Sequence, residues 1–484
     1  MSTRKLVVCI TFLAVFAMAA RISVDTDTWW HLRAGQWIVE NRAIPRVDSF
    51  SHTRSGQPWE YPGWLVQAPL YLIYRWLGPG GLNLWTAAMV TLAFACIYPI
   101  LHGGPFLRAF AVVLAAAASG VYWAARPYMV TFAAAAFFLL VLERWRRRMD
   151  TEPHDGHLGS LLLLPLVMLV WVNSHGGFAA GFLIWGAYLA GALFDGLRIR
   201  CWSSVRPLAL TGALLLAAAS LNPSGPEMLA YPFKTVGITA VQEYIQEWQP
   251  PDLQARSVQP FIWLLLLTFG AVGFSRRRLL LTDFLLFAGF GYMALTAGRN
   301  IALFSLAAPL VLTRHADPLA RALGQRWGYS GLSERPRTPF QGRLNLALLA
   351  LLAAAGVLKL ALVFPAEVNQ EHFAETLPVE AVDFLRSQPH SSGKLFNSYN
   401  YGGYLVWALP EYPVFVDGRT DLYNDEIISQ WLQVVRAEPG WQDVLDRWEI
   451  GVVLLEPDMP VVSELESSGW ERAYADSLAV IYRR

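Results

Sequence analysis

Eleven apolar runs, separated by short polar loops, occupy the first three-quarters of this chain and constrain it more than any other feature. They cover residues 6–20, 82–101, 110–124, 129–142, 158–173, 177–194, 208–221, 260–274, 279–297, 301–312 and 344–363. A bilayer core takes about 20 apolar helical residues to cross, and unsatisfied backbone cannot sit in lipid, so such a series reads as a helical membrane protein. Composition agrees: 55% of the 484 residues are hydrophobic and 15% charged, which excludes intrinsic disorder. Cys9, Cys96 and Cys201 lie in or beside apolar runs and offer neither a disulfide framework nor zinc-ligand spacing. The formal charge of +1 gives no reason to expect nucleic acid as a partner.

The first run follows Arg4 and Lys5 and ends at Arg21. It reads as an uncleaved first helix, although its length and Ala17, Ala19 and Ala20 also fit a signal peptide. The stretch 61–77 is apolar but interrupted by Gln67, Pro69 and Arg75. If it does not cross, Arg144 with Arg146 to Arg148, Arg198 with Arg200, Arg276 to Arg278 and the six arginines from Arg314 to Arg343 all share a side with Arg4 and Lys5. That one-sidedness is the positive-inside pattern. It predicts eleven spans, a cytoplasmic N-terminus and a first external loop over 21–81 containing two interfacial helices. In the first of these, over 29–40, Trp30, Ala34, Trp37 and Ile38 share one face; such a face suits lipid headgroups or a small protein core.

Beyond Val363 no run is long enough to span. Short apolar strands at 394–396, 414–416, 451–455 and 478–482 alternate with helical stretches such as 379–386 and 425–436, which predicts an external α/β domain over 365–484. The charge divides accordingly. Residues 1–364 hold 30 basic and 17 acidic side chains, whereas the remainder holds 8 and 20.

The helix interiors carry almost no ionisable groups, which counts against ion-coupled transport. Polar residues gather instead at the predicted outer ends. Asp25, Asp27, His31 and Arg33 follow the first helix; Arg126 lies between the third and fourth; Asn173 and His175 join the fifth and sixth. Glu243, Glu247 and Trp248 follow the seventh, and Arg299 and Asn300 join the ninth and tenth. Each has a plainer reading. The aspartates are good helix caps, the arginines are ordinary interfacial residues, and His175 before two glycines suits a tight turn.

The segment Asp25-Thr-Asp-Thr-Trp-Trp-His-Leu-Arg-Ala-Gly-Gln-Trp-Ile38, with Ile44-Pro45 and Asp48-Ser-Phe-Ser51, resembles the first external loop of bacterial membrane proteins related to the GT-C glycosyltransferases. That superfamily includes protein mannosyltransferases, lipid A aminoarabinose transferases and the catalytic subunit of oligosaccharyltransferase. Asn173-Ser-His-Gly-Gly177, Arg126-Pro127 and Arg299-Asn300 add to the resemblance, and the stretch 397–421 does so more weakly. Two departures stand out: Pro62-Gly63-Trp64-Leu65 replaces the frequent His-Glu-Trp-Leu, and the external domain lacks a Trp-Trp-Asp motif.

The resemblance implies an inner-membrane enzyme transferring a sugar from a polyprenyl-phosphate donor to an extracytoplasmic acceptor with inversion. Asp25 or Asp27 would be the catalytic base, the pair also holding a divalent cation such as Mg²⁺ or Mn²⁺, with no other cofactor. His31, Arg33, Arg126, Asn173, His175, Glu247, Arg299 and Asn300 would bind substrate or phosphate. Tyr401, Asp417, Arg419 and Asp421 would recognise the acceptor, although Asp417-Gly418 reads most simply as a turn. A lipid-glycan flippase or ligase, and a noncatalytic envelope protein, are the alternatives.

Overall fold

The computed structural model describes residues 1–151, 158–200, 202–238, 245–327, 338–388 and 393–484; Cys201, Glu243, Arg335 and Arg337 lie outside them. The chain is mostly helical, and each of the eleven apolar runs lies in helical structure. Among the described residues, five helices are long and apolar enough to cross a membrane: Trp64–Ile100, Pro105–Tyr122, Tyr128–Thr151, Gly176–Arg198 and Pro339–Val363. The other apolar helices are Thr3–Ala19, Leu163–Val172, Val205–Ala219, Gln259–Phe274, Leu281–Thr296 and the first half of Ile301–Arg326.

Residues 301–312 are buried throughout, surrounded by the helices Pro105–Ser119, Gln259–Phe274 and Leu281–Thr296. This is what a helix apolar on all sides requires. Helix Pro339–Val363 lies at the margin, docked on Thr3–Ala19, where Asn345 Nδ2 donates to the Met1 carbonyl at 3.0 Å. At one end of the bundle Arg147 and Arg314 converge on the buried Glu143, at 2.9 and 2.7 Å, and Arg314 also pairs with Asp283. The opposite ends of the same helices carry Tyr128 and the Arg299 turn.

The stretch 61–77 becomes the first part of helix Trp64–Ile97, which breaks at Gly78 with φ +63° and ψ −163°. Only glycine adopts that conformation without strain, so the break separates the short segment from the apolar helix that follows. Helix Asp27–Asn41 packs between this segment and helix Tyr399–Ala408. Its glycine permits the approach, since a Cβ on Gly35 would meet the Gln67 carbonyl at 2.1 Å. The face carrying Trp30 and Ala34 is therefore covered by protein: Trp30 packs on Trp59 and Tyr61, within the hydrophobic core of the C-terminal domain. Of the two readings of this helix, the protein core is the one observed.

Among the described residues the C-terminal domain carries a four-stranded sheet, β1 (Lys394–Asn397), β2 (Ile450–Leu455), β3 (Glu471–Ala475) and β4 (Val480–Arg483), in the order β1-β2-β4-β3. β1 and β2 are parallel and the remaining pairs antiparallel. β2 is buried at every position, as an internal strand must be. The expected strand at 414–416 does not join this sheet. Val414 instead bridges Ser51 of the first loop, with His52 N–H donating to the Val414 carbonyl at 3.0 Å and Val414 N–H to the Phe50 carbonyl at 3.2 Å. The first loop and the C-terminal domain thus share backbone pairing.

Candidate active site

A cavity of about 470 Å³ opens where the helix ends, the first loop and the C-terminal domain meet. Arg126, in the turn before helix Tyr128–Thr151, is its hub. Its guanidinium donates to Asp27 Oδ2 at 2.6 Å and Glu247 Oε2 at 2.9 Å, and lies 3.5 Å from Asp25 Oδ2. Glu247 also meets Arg299 at 3.4 Å, and the Arg299 guanidinium sits 4.2 Å above the Trp248 ring, a cation–π contact that leaves further donors available.

Asp25 and Asp27 divide their work. Asp25 Oδ1 accepts from the N–H groups of Asp27 and Thr28 at 3.0 and 3.1 Å, so this oxygen is the expected helix cap. Asp27 Oδ1 accepts from the Trp30 indole at 3.1 Å. Burial pushes the Asp27 carboxyl up to about 7 against the pull of Arg126, with Asp25 and Glu247 adding to the rise. Glu247 behaves oppositely: burial disfavours its charge, yet Arg126 and Arg299 hold it at about 2. The Arg126 cation resists burial through its three carboxylates and is raised above its ordinary value.

His175 begins the Gly176–Phe178 turn, and its Nδ1 accepts from the Gly177 N–H at 2.9 Å. Thr131, which itself accepts from the Trp171 indole, lies 2.9 Å from the same nitrogen. Burial, Arg299 and Arg126 together lower His175 to about 3. The ring is therefore neutral, with its proton on Nε2. His31, beside Gln67 at 3.0 Å, is held well below its usual value by burial, Arg126 and His175.

The C-terminal domain closes the cavity with Tyr399, Asn400, Gly418, Thr420 and Asp421. A Cβ on Gly418 would stand 1.7 Å from Asp27 Oδ1, and one on Gly403 would stand 2.2 Å from the Thr26 carbonyl. The Asp25–Asp27 turn thus lies directly under this domain. Asp421 Oδ2 accepts from the Tyr231 hydroxyl at 3.0 Å, and burial, restrained by that bond, raises its carboxyl to about 6.

No protein-family profile and no curated protein sequence matches the chain. Solved structures do. The oligosaccharyltransferase AglB of Archaeoglobus fulgidus, in complex with an inhibitory peptide and a dolichol-phosphate, matches with a TM-score of 0.59 at 12% identity, over 96% of this chain and 70% of that one. Its apo form matches at 0.55 and 12% identity, over 92% and 69%. The fold is that of the GT-C glycosyltransferases. ArnT from Cupriavidus metallidurans in the apo state is also similar, with a TM-score of 0.49 and 15% identity over 99% of this chain and 97% of that one.

The GT-C resemblance carries the expectation of Mg²⁺ or Mn²⁺ at Asp25 and Asp27, which the donor geometry does not fit. Both Asp27 oxygens and Asp25 Oδ1 are engaged by the protein's own N–H groups, leaving Asp25 Oδ2 beside a guanidinium. A hard divalent cation needs about six oxygen ligands. Among the described residues no group of three or more His, Cys, Asp and Glu side chains is arranged to hold one.

Of the residues expected to bind substrate in a GT-C site, His31, Arg126, His175, Glu247 and Arg299 line the cavity with the two aspartates. Arg33 instead donates to Gln36 at 2.8 Å, and Asn300 to the Met293 carbonyl at 3.0 Å. Asn173 is a buried hub: it accepts from the Trp64 indole at 3.0 Å and donates to the carbonyls of Leu169 and Leu221. In the C-terminal domain Asp421 reaches the cavity, while Tyr401 is turned to the Leu478 carbonyl at 2.7 Å. Asp417 and Arg419 are wholly buried, Arg419 binding Asp417 bidentately and pairing with Asp48 of the first loop. That cluster ties the loop to the domain. The lining tyrosines Tyr61, Tyr128 and Tyr231 are not among the expected site residues, whereas Tyr399 lies in the aromatic stretch 397–404.

Proposed function

We propose that this protein is an inverting membrane glycosyltransferase that moves a sugar from a polyprenyl-phosphate donor to an extracytoplasmic hydroxyl or amine on a lipid, glycan or protein. The observation that carries this reading is the cavity joining Asp27, Arg126, Glu247, Arg299 and neutral His175 on a GT-C fold. The opposite helix ends carry Arg146 to Arg148, Arg198 and Arg314. This supports eleven spans in a bacterial inner membrane, with the N-terminus cytoplasmic and residues 365–484 outside.

In this reading Asp27 is the general base. Burial brings its pKa near neutrality, where a base is most effective. The acceptor oxygen or nitrogen attacks the anomeric carbon and its proton passes to the Asp27 carboxylate. The bond from that carbon to the phosphate oxygen breaks, its electron pair leaving with the phosphate. A phosphate anion needs no protonation to depart. Arg299, the outward donors of Arg126 and the His175 Nε2–H supply charge and hydrogen bonds to its oxygens. Asp25 holds the turn that aims Asp27. The test is sugar transfer from a radiolabelled polyprenyl-phosphate donor by Asp25→Asn and Asp27→Asn. We expect Asp27→Asn to abolish transfer at normal expression; wild-type transfer by both variants overturns the assignment. Labelling of Arg148→Cys from outside the cell overturns the topology.

A further inference from the structure

A second cavity, of about 330 Å³, adjoins the first and shares a wall with it. Tyr231, Thr235 and Asp421 line both, so the Tyr231–Asp421 hydrogen bond stands in the partition. The far side is lined by Trp59, Glu60, Glu227, Lys234 and Asn424.

Two observations mark this second cavity as a receiving site. Asn424 interrupts helix Thr420–Val435 with φ +53° and ψ −173°. A non-glycine residue there is strained, and folds tend to retain such strain at ligand-binding positions. Lastly, Glu60, Glu227 and Asp421 outnumber Lys234, so the lining offers many acceptors, some donors and a surplus of negative charge.

We propose that this second cavity is the acceptor subsite, and that it takes a polyhydroxylated group that is uncharged or cationic: a sugar or amino sugar. Carboxylates accept from its hydroxyl or ammonium groups, Lys234 donates to its oxygens, and an anionic group is repelled. The Tyr231–Asp421 pair separates this group from the donor, so that its nucleophilic atom crosses at the shared wall. The assignment rests on reading the larger cavity as the donor site of a glycosyltransferase.

The test uses the full chain in nanodiscs, with saturation-transfer NMR to methyl glucoside, glucosamine and glucose 6-phosphate, and undecaprenyl phosphate retention measured in parallel by native mass spectrometry. The wild type should saturate methyl glucoside and glucosamine but not glucose 6-phosphate. Glu60→Lys with Glu227→Lys should reverse that preference and retain undecaprenyl phosphate. Arg299→Ala should do the converse, losing the lipid phosphate and keeping the sugars. Absence of sugar saturation in the wild type, or an unchanged preference in the double variant, overturns the subsite. Sugar saturation that responds to the double variant, with no retention of undecaprenyl phosphate by the wild type, overturns the donor reading instead.

Discussion

Replacing Gly418 by alanine probes the site from the part of the chain most distant from it in sequence. The added Cβ would stand 1.7 Å from Asp27 Oδ1 and 3.2 Å from Trp30 Nε1, whereas real Cβ contacts stay beyond 3.0 Å. Either the Asp27 carboxylate leaves its bonds to Trp30 and Arg126, or the Gly418 loop lifts from the first loop. Losing a hydrogen bond to a charged group costs about 1.5–3 kcal/mol. If that loss falls on the transition state, at about 1.4 kcal/mol per tenfold, transfer slows by about 10- to 100-fold. Overpacking of this kind also destabilises by about 1–3 kcal/mol, so a modest fall in Tm accompanies it. Single-turnover transfer from a radiolabelled polyprenyl-phosphate donor measures the rate, and thermal unfolding in nanodiscs measures the fold. Gly186→Ala is the control, because its Cβ enters open space on a helix. Wild-type turnover by Gly418→Ala would refute the claim that the position of Asp27 under the C-terminal domain matters to the reaction.

Arg419→Met should lower stability by about 3–5 kcal/mol, since it strands the buried carboxylates of Asp48 and Asp417; Arg419→Lys should not rescue the Tm, because lysine cannot reproduce the bidentate contact. Asp421 titrates at about 6 in the fold against 3.8 in the open chain. The open chain therefore releases this proton first as pH rises, and stability falls between about pH 4 and 6 by at most about 3 kcal/mol. Asp421→Asn should flatten that part of the Tm–pH profile, and an unchanged slope would contradict the raised carboxyl. ¹⁵N-labelled His175 should remain the neutral Nε2–H tautomer from pH 8 to 5; a titration near 6.5 would show that burial and the two arginines do not control it. Asn173→Ala should lower the Tm while leaving undecaprenyl phosphate affinity intact, because the amide serves only protein partners.

Much of the architecture is legible along the chain because apolar periodicity is a local property. The eleven runs are helical wherever they were expected, and the acidic tail holds the sheet. The misplaced strand at 414–416 shows where local reading stops. Its residues are apolar enough for a strand, but their partner is Ser51, hundreds of residues earlier. β3 escapes notice for the opposite reason, since it lies at the sheet edge and no residue in it is fully buried. Polar residues at helix ends marked one end of the bundle correctly, because Arg126, His175 and Arg299 follow or precede helices whose direction alternates.

By itself the sequence determined the helical membrane class, the acidic C-terminal domain and the clustering of charge at helix ends. Hydrophobic burial and backbone satisfaction act on each segment separately and leave a pattern in composition. The tertiary structure alone decided what each polar residue does. Asp417 and Asp421 are four residues apart, yet the first is locked in a buried ion pair and the second lines the cavity. Asp25 and Asp27 read as equals, and only the burial of Asp27 beneath Gly418, against the pull of Arg126, separates a capping carboxylate from one poised near neutrality. A carboxylate's protonation and reach depend on its neighbours in space, and those come from four distant parts of the chain.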